Sequence, residues 1–124
     1  MTQERESYSN LPWAITVNGN PIPKGRPKFY NGHAVTPEKT RDYEALVRQA
    51  AGICWQGDPT TEPVRVELLF WRGDKRRADI DNLAKAILDA LNGVVWEDDG
   101  QIIKLVAHKN YNKDRPRVEI VVSR

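Results

Sequence analysis

The chain has 124 residues, the length of one ordinary domain. Its 19 lysines and arginines nearly balance 17 aspartates and glutamates, so the net charge of +2 decides little and the distribution of charge must be examined instead. A single cysteine, Cys54, excludes an intrachain disulfide framework and a zinc ribbon. No segment resembles a signal peptide or a membrane span, which predicts a cytoplasmic protein of a reducing compartment with no membrane partner.

The first predicted element is a strand. Residues 1–10 are polar and predicted to be flexible. The segment Trp13–Gly19 alternates apolar and polar side chains and ends in Asn-Gly, which predicts a strand that enters a turn. Residues 20–37 contain four prolines and are therefore predicted to form a loop, because proline breaks a helix.

A helix is predicted after this loop, with Thr36 as its N-cap and Pro37 at its first helical position. Gln56–Pro59 ends it. The apolar side chains that recur at helical spacing are Tyr43, Leu46, Val47, Ala50, Ile53 and Cys54. Because Cys54 lies among apolar neighbours in this pattern, it is predicted to be a buried structural thiol.

The next predicted strand is Val64–Trp71, which has alternate apolar residues on one face. A basic connector, Lys75–Arg77, leads to a second helix that ends at Asn92 and Gly93. The apolar stripe of this helix consists of Ile80, Leu83, Ala84, Ile87, Leu88 and Leu91.

The chain ends with two predicted strands, 101–111 and 116–123, whose short linker predicts a hairpin. The order of elements is strand, helix, strand, helix, strand, strand, which predicts an α+β fold. We expect a single domain spanning residues 1–124, with a mixed sheet of about four strands and two helices packed on it.

Carboxylates gather around the second helix. At about 100° per residue, Asp81, Lys85 and Asp89 fall on one polar flank, opposite the apolar stripe. Asp79 precedes the first turn, and Asp98–Asp99 precede the next strand. Carboxylates within about 5 Å of each other would repel by roughly 3 kcal/mol at an effective dielectric near 20. A cation relieves such repulsion, and Mg²⁺ is the expected one because it prefers carboxylate and phosphate oxygens.

A purely structural interpretation of the same residues stands beside this one. An aspartate at a helix start is commonly a cap that contributes about 1 kcal/mol. Asp81 and Lys85 would form an ordinary i,i+4 pair, which contributes a few tenths of a kcal/mol. The segment Glu97–Gly100 has the composition of a turn. Spacing alone leaves the metal and structural interpretations about equally supported.

Residues 76–102 resemble the signature of RusA-family Holliday-junction resolvases. The marks of that family are D-x-D-N-L-x-K, a short helix reading DAL, and W-x-D-D-x-Q. The chain contains each of them, in Asp79, Asp81, Asn82, Leu83, Lys85, Asp89, Ala90, Leu91, Trp96, Asp98, Asp99 and Gln101. The first 60 residues match the family only in general layout.

The resemblance implies a homodimeric, Mg²⁺-dependent endonuclease, with Mn²⁺ as a substitute metal, that cuts four-way DNA junctions symmetrically in recombination and repair. It implies that Asp79, Asp81 and Asp99 bind the metal and act in catalysis with the ammonium of Lys85. Asn82 and Asp98 would be supporting residues. The resemblance also suggests a bacterial, phage or prophage origin.

Two basic runs are the predicted contacts to the DNA backbone, since phosphates are bound by lysine and arginine. They comprise Lys24, Arg26, Lys28, Lys75, Arg76 and Arg77. Phe29 or Tyr30 is a candidate for stacking at an opened crossover. One alternative is a non-catalytic protein that binds branched DNA. Another is a metal-dependent phosphatase for small substrates, but a phosphatase would not need the two basic runs.

Overall fold

The computed structural model of the protein describes residues 11–124. The elements are β1 Trp13–Asn18, β2 Lys28–Tyr30, β3 His33–Val35, α1 Glu38–Cys54, β4 Val64–Arg72, α2 Ile80–Leu91, β5 Ile102–Tyr111 and β6 Arg117–Ser123, with a short 3-10 helix, Asp99–Gln101, before β5. The predicted α+β class is confirmed. The predicted flexibility of residues 1–10 concerns a segment outside the described residues.

One mixed sheet of four strands forms the centre of the fold, in the order β1-β6-β4-β5. Strand β4 pairs parallel to β5 and antiparallel to β6, and β1 pairs antiparallel to β6. Alternate residues of β4 point toward the helices, because side chains in a strand alternate between its two faces. These residues, Val64, Val66, Leu68 and Phe70, are at most 2% exposed. The predicted sheet with two helices packed on it is therefore confirmed.

The predicted hairpin of the last two strands is wrong, because β4 lies between β5 and β6. Every apolar side chain on the helix-facing side of β4 is buried, so this strand requires a paired neighbour on each edge. Strand β5 instead has exposed side chains along most of its length and occupies the edge of the sheet. A short linker thus carries the chain past the end of β4 rather than back along β5.

The first helix begins one residue later than predicted, at Glu38, with Pro37 as its N-cap instead of Thr36. Pro37 has an extended ψ of 146°, and its carbonyl accepts the first helical hydrogen bond from the N–H of Arg41 at 3.1 Å. The Thr40 hydroxyl accepts a bond from the N–H of Gly25 at 3.0 Å, which ties the loop to this helix.

The prediction that Cys54 is buried is also wrong, because this thiol is exposed. The buried face of α1 is narrower than its apolar spacing indicated and consists of Thr40, Tyr43, Val47 and Ala51. At its end the core position is taken by Trp55, whose ring meets that of Trp13 edge to face at 5.4 Å. Leu46 and Ile53 belong to the predicted apolar pattern but lie outside this narrow face, and they are exposed as well.

The end of the second helix agrees with its prediction, since Asn92 is its C-cap and Gly93 has a positive φ of 81°. Within its predicted apolar stripe, Ile80 is an exception, because this first residue of the helix is 39% exposed. The helix carries the chain from the end of β4 back to the start of β5, so it runs antiparallel to both strands. The two ends of α2 therefore lie at opposite ends of the sheet. No helix within residues 11–124 is long and apolar enough to cross a membrane.

Candidate functional site

Two aspartates lie at the start of α2. Asp79 is the N-cap residue, but its carboxylate caps no backbone N–H group. It pairs with the Nε of Arg77 at 3.2 Å, and both side chains are largely open to solvent. Asp81 is exposed, and within residues 11–124 its carboxylate accepts from the adjacent N–H of Asn82 at 2.9 Å. Capping therefore does not explain Asp79, and each carboxylate is accessible from solvent.

An ion-pair network continues along the same helix. The ammonium of Lys85 pairs with the carboxylate of Asp89 at 3.3 Å. The structural interpretation of the sequence had predicted a pair between Lys85 and Asp81 instead. The Asp89 carboxylate also forms an ion pair with the ammonium of Lys24 at 3.0 Å. The same ammonium pairs with the carboxylate of Glu44 on α1 at 2.7 Å. The Lys85 side chain remains 57% exposed, so its ammonium is accessible to a ligand at this face.

Lys24 connects the proline-rich loop to both helices. Its backbone N–H donates to the carbonyl of Asn82 at 2.8 Å, while its ammonium lies between Glu44 and Asp89. Burial lowers the pKa of Lys24, but its hydrogen bonds and charge interactions with the two carboxylates outweigh that effect and raise the pKa above its ordinary value. Lys24 is therefore a charged group that positions the loop beside the aspartates.

The second acidic segment precedes β5. The Asp98 carboxylate accepts from the N–H of Gly100 at 2.9 Å, and the Gln101 side chain accepts from the Asp98 N–H, which completes a capping box. The Gln101 amide also donates to the carbonyls of Thr60 and Glu62 at 2.8 and 3.0 Å. These bonds fix the turn and engage one oxygen of Asp98, whereas the half-buried Asp99 opens the 3-10 helix directly before β5.

The aspartates do not converge within one chain. Helix α2 has 12 residues and a length of about 18 Å, with Asp79 at its start. Asp99 lies beyond its other end, because Trp96 pairs with the C-cap Asn92 through a 2.6 Å bond from its indole N–H. Accordingly, no group of three or more His, Cys, Asp or Glu side chains in residues 11–124 could hold a metal ion.

The length of β5 also shows that Asp79 and Asp99 are far apart. The Nζ of Lys109 donates to the carbonyl of Ala78, next to Asp79, at 2.8 Å. Lys109 lies seven residues along β5 from Ile102, a distance of about 23 Å in an extended strand. Asp79 and Asp99 are therefore close to opposite ends of β5.

A basic cleft of about 310 Å³ opens beside Asp79. Its lining residues are Arg72, Asp74, Lys75, Arg76, Lys109, Asn110 and Tyr111. The Lys75 ammonium lies 5.1 Å from the centre of the Tyr111 ring, a cation–π contact. The buried Arg72 donates to the carbonyl of Pro21 at 2.6 Å and pairs with Asp74 at 3.3 Å, so it ties this loop to the proline-rich segment.

The proline-rich loop contains a small hairpin that the sequence did not predict. Strands β2 and β3 pair antiparallel around Asn31 and Gly32, both of which have positive φ angles. Arg26 and Lys28 are exposed there, and the Phe29 and Tyr30 rings are 81% and 61% exposed. The hairpin therefore presents cations and aromatic rings to solvent a few residues after Lys24.

Comparison with known proteins identifies the group to which this arrangement belongs. The family model described as "Endodeoxyribonuclease RusA" matches residues 18–123, which is most of the chain. The chain belongs to the RusA endodeoxyribonuclease family. This RusA-family chain is also 29% identical to the "Uncharacterized protein YqaN" of Bacillus subtilis (strain 168), over 87% of this chain and 93% of that protein.

The RusA family consists of DNA-binding endonucleases that act on Holliday junctions in recombination. In this RusA-family chain Asp79, Asp81 and Arg77 lie at one end of α2, with Lys85 further along the same helix. Asp99 lies apart from them. Sequence reasoning missed Lys109 and Arg72, since their contacts to Ala78 and Pro21 depend on pairings between distant segments.

Proposed function

We propose that this RusA-family chain is a Mg²⁺-dependent, homodimeric endonuclease that cuts four-way DNA junctions by paired symmetric nicks. The observation that carries the proposal is the separation of Asp79 and Asp81 from Asp99, at opposite ends of α2. In a two-fold dimer, the Asp79 end of α2 in each chain could lie beside Asp99 of the partner chain. Such a dimer would assemble two identical sites. Four-way junctions share this two-fold symmetry.

The donor set fits a hard divalent ion, because three carboxylates offer only oxygen ligands. Asp79 and Asp81 of one chain and Asp99 of its partner would hold the metal. When bound, Mg²⁺ supplies activation of the attacking water and charge neutralisation at the phosphate. The carboxylates are exposed or half-buried, and Asp98 supports Asp99 by fixing its turn.

Lys85 supplies the cation of the site. Its ammonium has one partner in the described part of the chain, Asp89 at 3.3 Å, and is more than half exposed. An exposed ion pair contributes little, about 0 to 1 kcal/mol, so the ammonium is free to turn toward a phosphate. There it would stabilise developing negative charge or protonate the leaving oxygen.

The DNA backbone is bound by the cations around this end of the sheet. Lys75 and Arg76 line the cleft, Arg77 is exposed beside Asp79, and Arg26 and Lys28 are exposed at the hairpin. Phosphate contacts of this kind give affinity and register without reading base sequence, as a structure-selective enzyme requires. The ammonium of Lys24, which is already paired with two carboxylates, has a positioning role instead.

The proposal is tested with a labelled synthetic four-way junction. The wild-type protein should cut it with Mg²⁺, and Asp79→Asn, Asp81→Asn and Asp99→Asn should each bind it in EDTA but fail to cut it with Mg²⁺. Lys113→Gln, a change on the linker before β6, is the control and should cut normally. Cleavage by Asp79→Asn or Asp81→Asn at the wild-type rate would show that these aspartates are structural.

Mixed dimers test whether each site uses both chains. Asp79→Asn and Asp99→Asn chains, co-expressed with different tags, form a heterodimer in which one site has lost both aspartates and the other is intact. This heterodimer should nick one strand of the junction, although both parent homodimers are inactive. A fully inactive heterodimer would place each site within one chain.

The alternative of a non-catalytic branched-DNA-binding protein makes a different prediction. Such a protein would bind the junction equally well with and without Mg²⁺ and would leave all strands uncut. Analytical ultracentrifugation at micromolar concentration tests the dimer directly, since a mass near 14.2 kDa would contradict it.

A further inference from the structure

The hairpin of β2 and β3 is exposed on all sides. It forms a two-stranded sheet of its own, separate from the four-stranded sheet. Every residue from 26 to 35 is exposed, and Phe29, at 81%, is the most exposed large hydrophobic side chain in the described part of the protein. A two-stranded hairpin without a covered face is only marginally stable by itself. A ligand that covers the Phe29 side chain would therefore stabilise the hairpin.

The two aromatic rings of the hairpin lie on opposite faces. Side chains alternate between the two faces of a strand, and residues that pair directly across two strands share a face. Tyr30 pairs with His33 and shares one face with it, whereas Phe29 shares the other face with its partner Ala34. Each face therefore presents one exposed ring. A hairpin with a ring on each face is suited to lie between two flat groups.

The base of the hairpin is held beside the aspartates at the start of α2. The Lys24 N–H donates to the carbonyl of Asn82 at 2.8 Å, within the first turn of that helix. A Cβ atom built on Gly25 would lie 2.9 Å from Cγ of Pro37, so the chain entering the hairpin and the chain leaving it approach closely here. From Gly25 to the turn is about six residues, a reach of at most about 20 Å. The rings therefore lie within reach of bases close to the strand that the site would cut.

The charge of this segment is complementary to nucleic acid. Residues 20–37 contain Lys24, Arg26 and Lys28 but no aspartate or glutamate. Lysine and arginine neutralise phosphates, and aromatic rings stack on nucleobases of any sequence. Two copies of this segment would repel each other, because their charges have the same sign. Exposed rings among uniformly positive charges therefore favour DNA over a second copy as the group that covers them.

We infer that the hairpin enters the branch point of a four-way junction, where Phe29 and Tyr30 stack on the two base pairs that the crossover exposes. The inference rests on the proposed function, because it identifies the element that distinguishes a branch from a duplex. In a continuous duplex a ring enters between base pairs only by unstacking them, which costs free energy. At a branch point the stack is already interrupted, so the same contacts form at a lower cost. Contacts to phosphates alone do not make this distinction.

The first experiment compares binding in EDTA to a four-way junction and to a duplex of the same sequence. Phe29→Ala and Tyr30→Ala should each weaken junction binding on the order of tenfold and leave duplex binding unchanged. Phe29→Trp should keep the wild-type preference for junctions, whereas Phe29→Leu, which is apolar but has no ring, should lose it as the alanine variant does. Ile53→Ala, at an exposed apolar position near the far end of α1, is the matched control and should bind both DNAs normally.

The second experiment locates the Phe29 side chain in the complex by photo-cross-linking. Phe29 is replaced by the photoreactive p-benzoylphenylalanine, the complex with a labelled junction is irradiated in EDTA, and the cross-linked nucleotide is mapped. Cross-links should fall on the base pairs that flank the branch point. The same replacement at Ile53 is the control and should give no cross-link to DNA. Cross-links from position 29 to the duplex arms away from the branch, or to a second copy of the protein, would overturn the inference.

Both readouts are independent of cleavage, because EDTA removes the metal. If the wild-type protein cuts junctions while Phe29→Ala and Tyr30→Ala bind them as tightly as wild type, the role of the hairpin is wrong and the proposed function stands. An equal loss of junction and duplex affinity in these variants would have the same meaning. Cross-links at the branch point in a protein that never cuts junctions would support the role of the hairpin and overturn the proposed nuclease.

Discussion

The Nζ atom of Lys109 on β5 donates a hydrogen bond of 2.8 Å to the carbonyl of Ala78, one residue before Asp79. This bond links the edge strand to the start of α2. Because Lys109 also lines the basic cleft, it combines loop positioning with positive charge at the place where DNA is proposed to bind.

Removing this bond should lower both the stability of the protein and the rate of cleavage. Lys109→Met keeps the aliphatic stem but leaves the Ala78 carbonyl without its donor, at a cost of about 1 to 3 kcal/mol. We expect cleavage to fall on the order of tenfold, since a small misplacement of metal-binding groups is costly. Junction cleavage rates and thermal melting measure the two effects, and Lys113→Met is the control for loss of charge.

The loop Lys75–Arg77 should set the salt dependence of junction binding. Replacing all three residues by alanine should flatten the plot of log affinity against log salt by about 0.9 unit for each phosphate that the protein no longer neutralises. A gel-shift titration between low and moderate salt measures the slope. A double alanine variant of Lys113 and Arg115, exposed on the linker before β6, should keep the wild-type slope. An unchanged slope in the triple variant would assign the loop to ordinary solvation.

Lys85→Ala should separate metal binding from cleavage. The change removes a cation but no oxygen ligand, so affinity for Mn²⁺ should persist or increase. Cleavage of the junction should be lost, because the developing negative charge is no longer stabilised. Isothermal titration with Mn²⁺ and a Mg²⁺ cleavage time course, run on the same preparation, measure both. If the variant lost both Mn²⁺ binding and junction cleavage, Lys85 would instead maintain the structure of the site.

The ion-pair network around Lys24 should have a defined pH dependence. Because the pKa of Lys24 is raised above its ordinary value of 10.5, its stabilising contribution is complete below that pH and is lost as the pH rises above it. Lys24→Gln should therefore lower the free energy of unfolding by about 1 to 3 kcal/mol at pH 7 and pH 9. The difference from wild type should shrink above pH 10.5.

Urea unfolding of both proteins across this pH range tests that expectation. Comparing the variant with wild type at each pH cancels the titration of other lysines and tyrosines. Lys39→Gln, an exposed position on α1, is the control and should cost little at any pH. A Lys24→Gln variant as stable as wild type at pH 7 would show that the network contributes nothing.

Short segments of the sequence were enough to predict most local elements and the chemical groups of the site. Helix α2 could be predicted from its apolar stripe and from Asn92-Gly93, because helical periodicity and a left-handed glycine at the end are properties of a short segment. The same segment carries Asp79, Asp81 and Lys85, and their spacing together with the resemblance indicated nuclease chemistry before any fold was known.

Which of these groups meet depends on the tertiary structure. Strand β4 lies between β5 and β6 because its helix-facing side chains are all buried and need neighbours on both edges, whereas the linker after β5 is compatible with a hairpin or a crossover. Because β4 and β5 are parallel neighbours, α2 runs antiparallel to β5 between them, and Asp99 lies far from Asp79. Separations of this kind depend on strand order, a non-local property that spacing along the chain does not contain.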